Sequence, residues 1–188
     1  MPAGDDRTHL RHEAERLRWA GAWVPVPSVL ELGADDEGSW LVTSTVPGRS
    51  AVDPRWLAEP RTAARAIGAG LRALHDALPV EGCPFDWGVA TRLAGAEPPL
   101  PVPEVDVLVV CHGDACAPNT LLHDDGRWSA HVDLGALGVA DRWADLAITA
   151  WSTEWNYGAD FAGEVYEAYG VQPDEGRLAF YRALWDAT

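Results

Sequence analysis

The stretch from Val107 to Ala140, VLVVCHGDACAPNTLLHDDGRWSAHVDLGALGVA, constrains the fold more than any other part of the chain. The apolar run Leu108-Val109-Val110 reads as a strand that delivers His112-Gly113-Asp114 to its end. Asn119 follows five residues after Asp114, and a second short strand-like run ends at Asp133-Leu134-Gly135. Between them His123-Asp124-Asp125-Gly126 is a turn of the Asp-Gly kind, so the strands flanking it are expected to pair and return Asp133 beside the first loop. Gly113 and Pro118 tighten that loop. Three oxygen-bearing side chains, Asp114, Asn119 and Asp133, are thereby expected to converge.

Such a trio suits phosphoryl transfer, which asks little covalent work of a protein. A site for it must position an acceptor hydroxyl, bridge phosphate oxygens with a metal ion, and hold a carboxylate near the attacking oxygen. Magnesium favours hard oxygen ligands and takes few of them from protein, so one amide oxygen and one carboxylate suffice beside water and phosphate. Protein kinases use the same order of residues: H-R-D, an Asn five positions on, then D-F-G.

HGDACAPN followed by VDLGALGVADRWADLA resembles the aminoglycoside 3'-phosphotransferase family, antibiotic kinases with a protein-kinase-like fold. The resemblance runs from near Leu10 to the C-terminus through HEAERLRW, WLVTSTVPG, LRALHDAL, CPFDWG and FYRALWD. It implies an α+β, protein-kinase-like chain, with a truncated N-terminal lobe and hinge over residues 1–47 and a mostly helical C-terminal catalytic lobe over 48–188. It implies transfer of the γ-phosphate of ATP to a hydroxyl of an aminoglycoside, with Asp114 as base and Asn119 and Asp133 as Mg2+ ligands. The backbone of Ser44 and Val46 would bond the adenine in a hinge at Ser44-Thr45-Val46, and Asp186 and Glu154 would read the cationic antibiotic. Asp145 is expected to brace the catalytic loop, and His112 to pack within it.

Several departures from the family leave alternatives open. A Glu of the first helix normally pairs with a lysine on the preceding strand; Glu13 matches that position, yet all fourteen basic residues are Arg and the chain has no Lys. The family's glycine-rich hairpin and lysine strand are expected to have no counterpart ahead of that helix. Ala136 stands where the family commonly has an arginine, and Trp155-Asn156 stand near positions that are acidic in relatives. From Gly82 to Asp106 the chain is short and proline-rich, where the family usually carries helices that wall the antibiotic site. The alternatives are a truncated, inactive remnant or binding module of the family, and a kinase of another hydroxylated small molecule.

Bulk properties narrow the field further. With 188 residues, 47% hydrophobic content and ten Trp, the chain has material for a packed domain and is not a disordered segment. A formal net charge of -15 opposes nucleic acid and anionic membrane and would draw a cationic small molecule toward a carboxylate-lined cleft; an acidic surface that only maintains solubility explains it equally. Cys83, Cys111 and Cys116 form no C-x-x-C pair, which indicates thiols in a reducing compartment rather than a zinc site or disulfide framework. No apolar run reaches membrane-spanning length, so a cytoplasmic protein is expected.

Around the central stretch, Thr8 is expected to cap a helix from His9 to Ala20 whose apolar stripe is Leu10, Ala14 and Leu17, with Glu13 on the same face. Ser28–Leu32 and Ser39–Val46 read as a hairpin. Arg61–Leu78 is an amphipathic helix in which His75 supports the core. Further helices are expected from Asp141, whose acidic side chain suits a helix N-terminus, to Trp155, and over Phe161–Tyr169 and Asp174–Trp185.

Overall fold

A computed structural model describes residues 4–158 and 161–188 as an α+β chain. Helix α1 (Gly4–Ala20) opens the described part and buries Ala14, Leu17 and Ala20. Thr8 lies inside this helix rather than capping it: no glycine or proline falls between Gly4 and Gly21, so nothing interrupts the helix at the cap-like residue. Strands β1 (Val29–Ala34) and β2 (Ser39–Thr43) then pair as the expected hairpin, with Ala34 opposite Ser39 and Gly33 opposite Trp40. Asp35 closes its turn by accepting from the N–H groups of Glu37 at 2.8 Å and Gly38 at 3.1 Å. The Trp40 ring lies over Gly33, where any Cβ would collide with it, and its indole N–H donates to Glu31 at 2.7 Å.

Strand β3 (Arg49–Ser50) joins β5 (Thr120–Leu122) and β6 (Trp128–His131) in an antiparallel sheet of order β3-β5-β6. After α2 (Pro54–Leu57), capped by Asp53, comes α3 (Pro60–Ala77). Two glycines let α3 approach its neighbours closely. A Cβ on Gly68 would strike the Val165 carbonyl of α6 (Ala162–Tyr169), and one on Gly70 would strike the Trp128 indole. A short α4 (Val89–Leu93) is the only regular element described in the proline-rich interval that follows.

Strand β4 (Leu108–Cys111) pairs antiparallel with β7 (Gly138–Asp141), from Leu108 opposite Asp141 to Cys111 opposite Gly138. The other side of β7 bonds the 85–87 segment: Val139 N–H donates to Phe85 O at 2.9 Å and Trp87 N–H to Val139 O at 3.1 Å. Asp141 therefore ends a strand instead of opening a helix. It still meets the helix, because its carboxylate accepts from Trp143 N–H at 3.1 Å in the first turn of α5 (Trp143–Tyr157). The pairing partner of β7 is nearly thirty residues upstream, a distance no local pattern reports.

Helix α5 is buried on most of its circumference and lies between α6 and α7 (Glu175–Ala187). Its Leu146, Ala147 and Ile148 join Leu17, Leu71, Leu74, Leu134, Leu137 and Leu184 in the main core, while Trp56, Ile67 and Leu122 form a smaller cluster under β3 and β5. Each fully buried aliphatic contributes about 1.5–3 kcal/mol. The exposed ion pairs of Arg65 with Glu164 and Glu167 are worth about 0–1 kcal/mol each, so packing holds α3 against α6.

Candidate active site

After Cys111 the chain leaves the β4–β7 ladder and runs as irregular backbone to the 3-10 turn Ala117–Asn119. Most of this loop is buried, so its peptide groups need partners inside the protein. Helix α5 supplies them from one stripe. Asp145 accepts from the N–H groups of His112 at 2.6 Å and Gly113 at 2.9 Å; Thr149 donates to Ala115 O at 2.8 Å; Ser152 accepts from Ala117 N–H at 2.9 Å. Spacings of four and three residues place all three on one helix face. Asp145 was expected to brace this loop; Thr149 and Ser152 went unnoticed, although polar residues at helical intervals within an apolar helix were the available signal.

Asp145 is held from behind by α3. His75 Nε2 lies 2.9 Å from Asp145 Oδ2, and His75 Nδ1 lies 2.8 Å from the Tyr169 hydroxyl. Burial pushes the Asp145 pKa up, but the hydrogen bond and charge of His75, with help from His112 and the Gly113 N–H, outweigh it and hold the pKa below the ordinary carboxylate value. His75, Cys111 and Asp145 bring their ligand-type atoms within 4.8 Å of one another. The two imidazole nitrogens and both carboxylate oxygens are already hydrogen-bonded, and the Cys111 thiol donates to Asp141 O at 3.4 Å. This cluster is a supporting network rather than a metal site.

The second loop, 133–137, packs directly on the first. Gly113 has φ 85°, and a Cβ there would collide with the Ala136 carbonyl, so only glycine allows the two backbones this contact. His112 joins the loops from within: its Nε2 donates to Val132 O at 3.0 Å, and its Nδ1 accepts from Asp114 N–H at 3.3 Å. Packing and hydrogen bonding are what the sequence led us to expect of His112.

Asn119 Nδ2 donates to the Asp114 carbonyl at 3.0 Å, and Asn119 O accepts from Val132 N–H at 3.0 Å, so the Asp114 loop, Asn119 and the approach to Asp133 are joined in sequence. With its NH2 engaged, the Asn119 amide oxygen is the atom left for a ligand. Asp133 adopts φ 60°, a left-handed conformation that Asp tolerates better than most residues. Asp114 Oδ1 is buried with no hydrogen-bond partner among the described residues. The Cys116 thiol leans on the same carboxylate; burial, then Asp114 itself, drives the thiol far above its usual pKa.

Helix α1 covers the second loop. Gly135 faces His9 and Glu13, and Arg16 Nε donates to Leu137 O at 2.8 Å. Glu13 is half-buried; burial and the facing Asp133 raise its pKa, with His9 acting against them. The inward-facing carboxylate thus meets Asp133 and a histidine, in a chain without lysine.

The remaining expected residues lie farther out. Ser44 N–H donates to Ser28 O at 2.8 Å, so any backbone contact of Ser44 with a ligand falls to its carbonyl, and Val46 is half-buried in the connector. That connector is tied to the site sheet by Ser129, which donates to Pro47 O at 2.5 Å. Glu154 on α5 sits 3.4 Å from Arg182, and Asp186 is exposed on α7. Among the described residues no hydrogen bond or ion pair joins either carboxylate to Asp114, Asn119 or Asp133. No described helix is long and apolar enough to cross a membrane.

The chain has relatives among known proteins. The phosphotransferase enzyme family matches residues 2–98 and 92–181, two stretches that meet at the proline-rich interval. The aminoglycoside 3'-phosphotransferase of Streptomyces fradiae is 38% identical over 213 aligned positions, covering 93% of this chain and 78% of the relative. That alignment is longer than the 188-residue chain, so the relative carries positions that this chain does not. The streptomycin 3''-kinase of Streptomyces griseus is 37% identical over 98% of this chain and 81% of its own length. The solved structure of aminoglycoside phosphotransferase APH(3'')-Id from Streptomyces rimosus, in complex with ADP and streptomycin, superposes with a TM-score of 0.78 at 30% identity over 100% of this chain and 85% of that one. With its loop order, its fold and these relatives in agreement, the chain belongs to the phosphotransferase enzyme family, among the aminoglycoside phosphotransferases of protein-kinase-like fold.

Proposed function

We propose that the protein transfers the γ-phosphate of ATP to a hydroxyl of an aminoglycoside, with Asp114 as base. The observation that carries this reading is the state of Asp114: its backbone is clamped by Asn119 and His112, while its Oδ1 is buried without a hydrogen-bond partner among the described residues. A buried carboxylate oxygen left open is costly unless a ligand hydroxyl completes it. Asp114 accepts the hydroxyl proton as the acceptor oxygen bonds to phosphorus and the bond from phosphorus to the ADP oxygen breaks.

The donor set fits Mg2+: the Asn119 amide oxygen and the Asp133 carboxylate are hard oxygens on adjoining loops. When bound, magnesium neutralises phosphate charge. Asn119 is held in place by its bond to the Asp114 carbonyl, and Glu13 adds negative charge near Asp133. The Ser44 carbonyl and the Val46 N–H are the hinge contacts assigned to adenine, with residues 1–47 on the nucleotide side and 48–188 as the catalytic lobe. An acidic chain of net charge -15 favours a cationic acceptor, for which Glu154 and Asp186 are the assigned carboxylates, and disfavours nucleic acid and anionic membrane. Use of ATP and three free cysteines support a cytoplasmic reading of the activity.

The relatives support the substrate class by name, as 3'-phosphotransferases and a streptomycin 3''-kinase. The test is magnesium-dependent phosphate transfer to a panel of aminoglycosides, with neutral sugars alongside. Asp114→Asn is expected to lower kcat by about a hundredfold or more with the melting temperature unchanged; retained turnover in that variant rules out Asp114 as the base.

A further inference from the structure

Helix α1 carries a second face beside its buried one. His12, Glu15, Arg16 and Trp19 follow one another along it at helical intervals. With Arg18 and Phe85 they line a groove of about 740 Å3, a volume within the range of small-molecule sites. Its two walls come from different elements. Opposite α1, Phe85 is fixed to β7, because Phe85 O accepts from Val139 N–H at 2.9 Å. The Phe85 ring meets the Trp19 indole edge-on, with centroids 5.9 Å apart.

Arg16 supplies the fixed cation of this groove. Its guanidinium lies over the Phe85 ring at 4.7 Å, its Nε donates to Leu137 O at 2.8 Å, and its Nη1 donates to His12 O at 3.3 Å. Both acceptors are neutral carbonyls, and among the described residues Nη2 has no hydrogen bond and no carboxylate forms an ion pair with Arg16. Arg65, Arg142 and Arg177 each meet a carboxylate within 3.2 Å. In a chain of net charge -15, a half-buried arginine stacked on an aromatic ring is thus left with its charge uncompensated. Arg16 and Arg18 set two permanent positive charges against the one carboxylate of Glu15, and His12 adds a ring nitrogen. The planar partner with two oxygens that a guanidinium binds best is a carboxylate, and the Trp19 and Phe85 rings offer apolar surface to a flat body. The same charges disfavour a cationic antibiotic here.

We propose that this groove is a binding site for a small aromatic carboxylate, whose oxygens pair with Arg16 and whose ring lies against Trp19 and Phe85. None of the lining residues is assigned to the base, the metal, the adenine or the acceptor, so the site is separate from the proposed transfer and its failure leaves that reading untouched.

The test is calorimetric titration of 2-naphthoate into the purified chain at pH 7, with neutral 2-naphthamide as the control. Saturable binding of the carboxylate with a Kd below about 1 mM is expected, and the amide should bind about tenfold more weakly or less. Arg16→Gln, which keeps an N–H for Leu137 O but no charge, should weaken binding of 2-naphthoate by about tenfold or more. Arg18→Gln, at an exposed position, should weaken it by about two- to threefold at low salt and serves where the Arg16 variant melts early. Absence of binding to the folded wild-type chain, equal binding of the amide, or an unchanged affinity in either folded variant overturns the site.

Discussion

Replacing Asp145 with Asn tests whether the catalytic loop is held from α5. The carboxylate accepts three hydrogen bonds, from His112 N–H and His75 Nε2 on one oxygen and from Gly113 N–H on the other. An Asn of the same shape can keep the first two by placing its carbonyl there, but its NH2 then faces the Gly113 N–H. One buried donor is left unsatisfied, costing about 1–3 kcal/mol, and the two surviving bonds lose their charge assistance at about 1 kcal/mol each. The sum, roughly 3–5 kcal/mol, is a large share of a typical domain's stability. For a chain of this size it corresponds to a fall of about 6–20 °C in melting temperature. The pH dependence has a definite sign. Because the folded pKa of Asp145 lies below its unfolded value, its stabilisation is complete at neutral pH and declines only as the pH falls below about 4 and through the folded pKa. The gap between wild type and Asp145→Asn should therefore stay constant from pH 8 to pH 5 and narrow below pH 4. Thermal melts followed by circular dichroism measure both effects. A loss under about 2 °C at pH 7 would refute the magnitude reasoned here, and a gap that widens in acid would refute the charge state.

Thr149→Val and Ser152→Ala each remove one bond to the loop, leaving Ala115 O or Ala117 N–H buried without that partner; a cost of about 1–3 kcal/mol each and a lower kcat are expected, and wild-type values of both would show that the stripe does not hold the loop. His131 has its pKa pushed down to about 3 by burial and then by the nearby His112. The unfolded chain therefore binds the extra proton between about pH 3 and 6.5, and stability should rise with pH across that window by up to about 1.4 kcal/mol per unit and level off above it. Urea midpoints at pH 4.5 and 7 should lie closer together in His131→Phe than in the wild type; an equal separation would refute the neutral buried imidazole.

The parts of the fold that were legible in the sequence are those with a local cause. The Asp-Gly turn at 123–126 announced the pairing of β5 and β6, and the spacing of Ile67, Leu71 and Leu74 announced α3. The convergence of the Asp114 loop, Asn119 and Asp133 followed from that turn. Long-range contacts were not legible. Four residues, Gly-Val-Ala-Asp, carry no alternation that marks β7, and only its partners on both sides make it a strand. Nor could spacing reveal that Glu13 would face Asp133, that the Ser44 N–H would be taken by Ser28, or that Arg92 would lodge between two indoles.

The supports of the catalytic loop also decide how damage to the chain should divide. Asp145, Thr149 and Ser152 on α5, His75 on α3 and the β4–β7 ladder all lie between residues 75 and 152, and none of them depends on the β1–β2 hairpin. Among the described residues only a few side-chain bonds reach the loops or their sheet from the first 47 positions, among them Arg16 to Leu137 O and Ser129 to Pro47 O. A perturbation of the hairpin thus leaves Asp114 and Asn119 in register and acts on the side that the proposed function gives to the nucleotide. A perturbation of the α5 stripe leaves the hairpin intact and moves Asp114, the proposed base. The first class should raise the KM for ATP with kcat little changed, and the second should lower kcat, because misplacing a base costs transition-state stabilisation rather than ground-state binding.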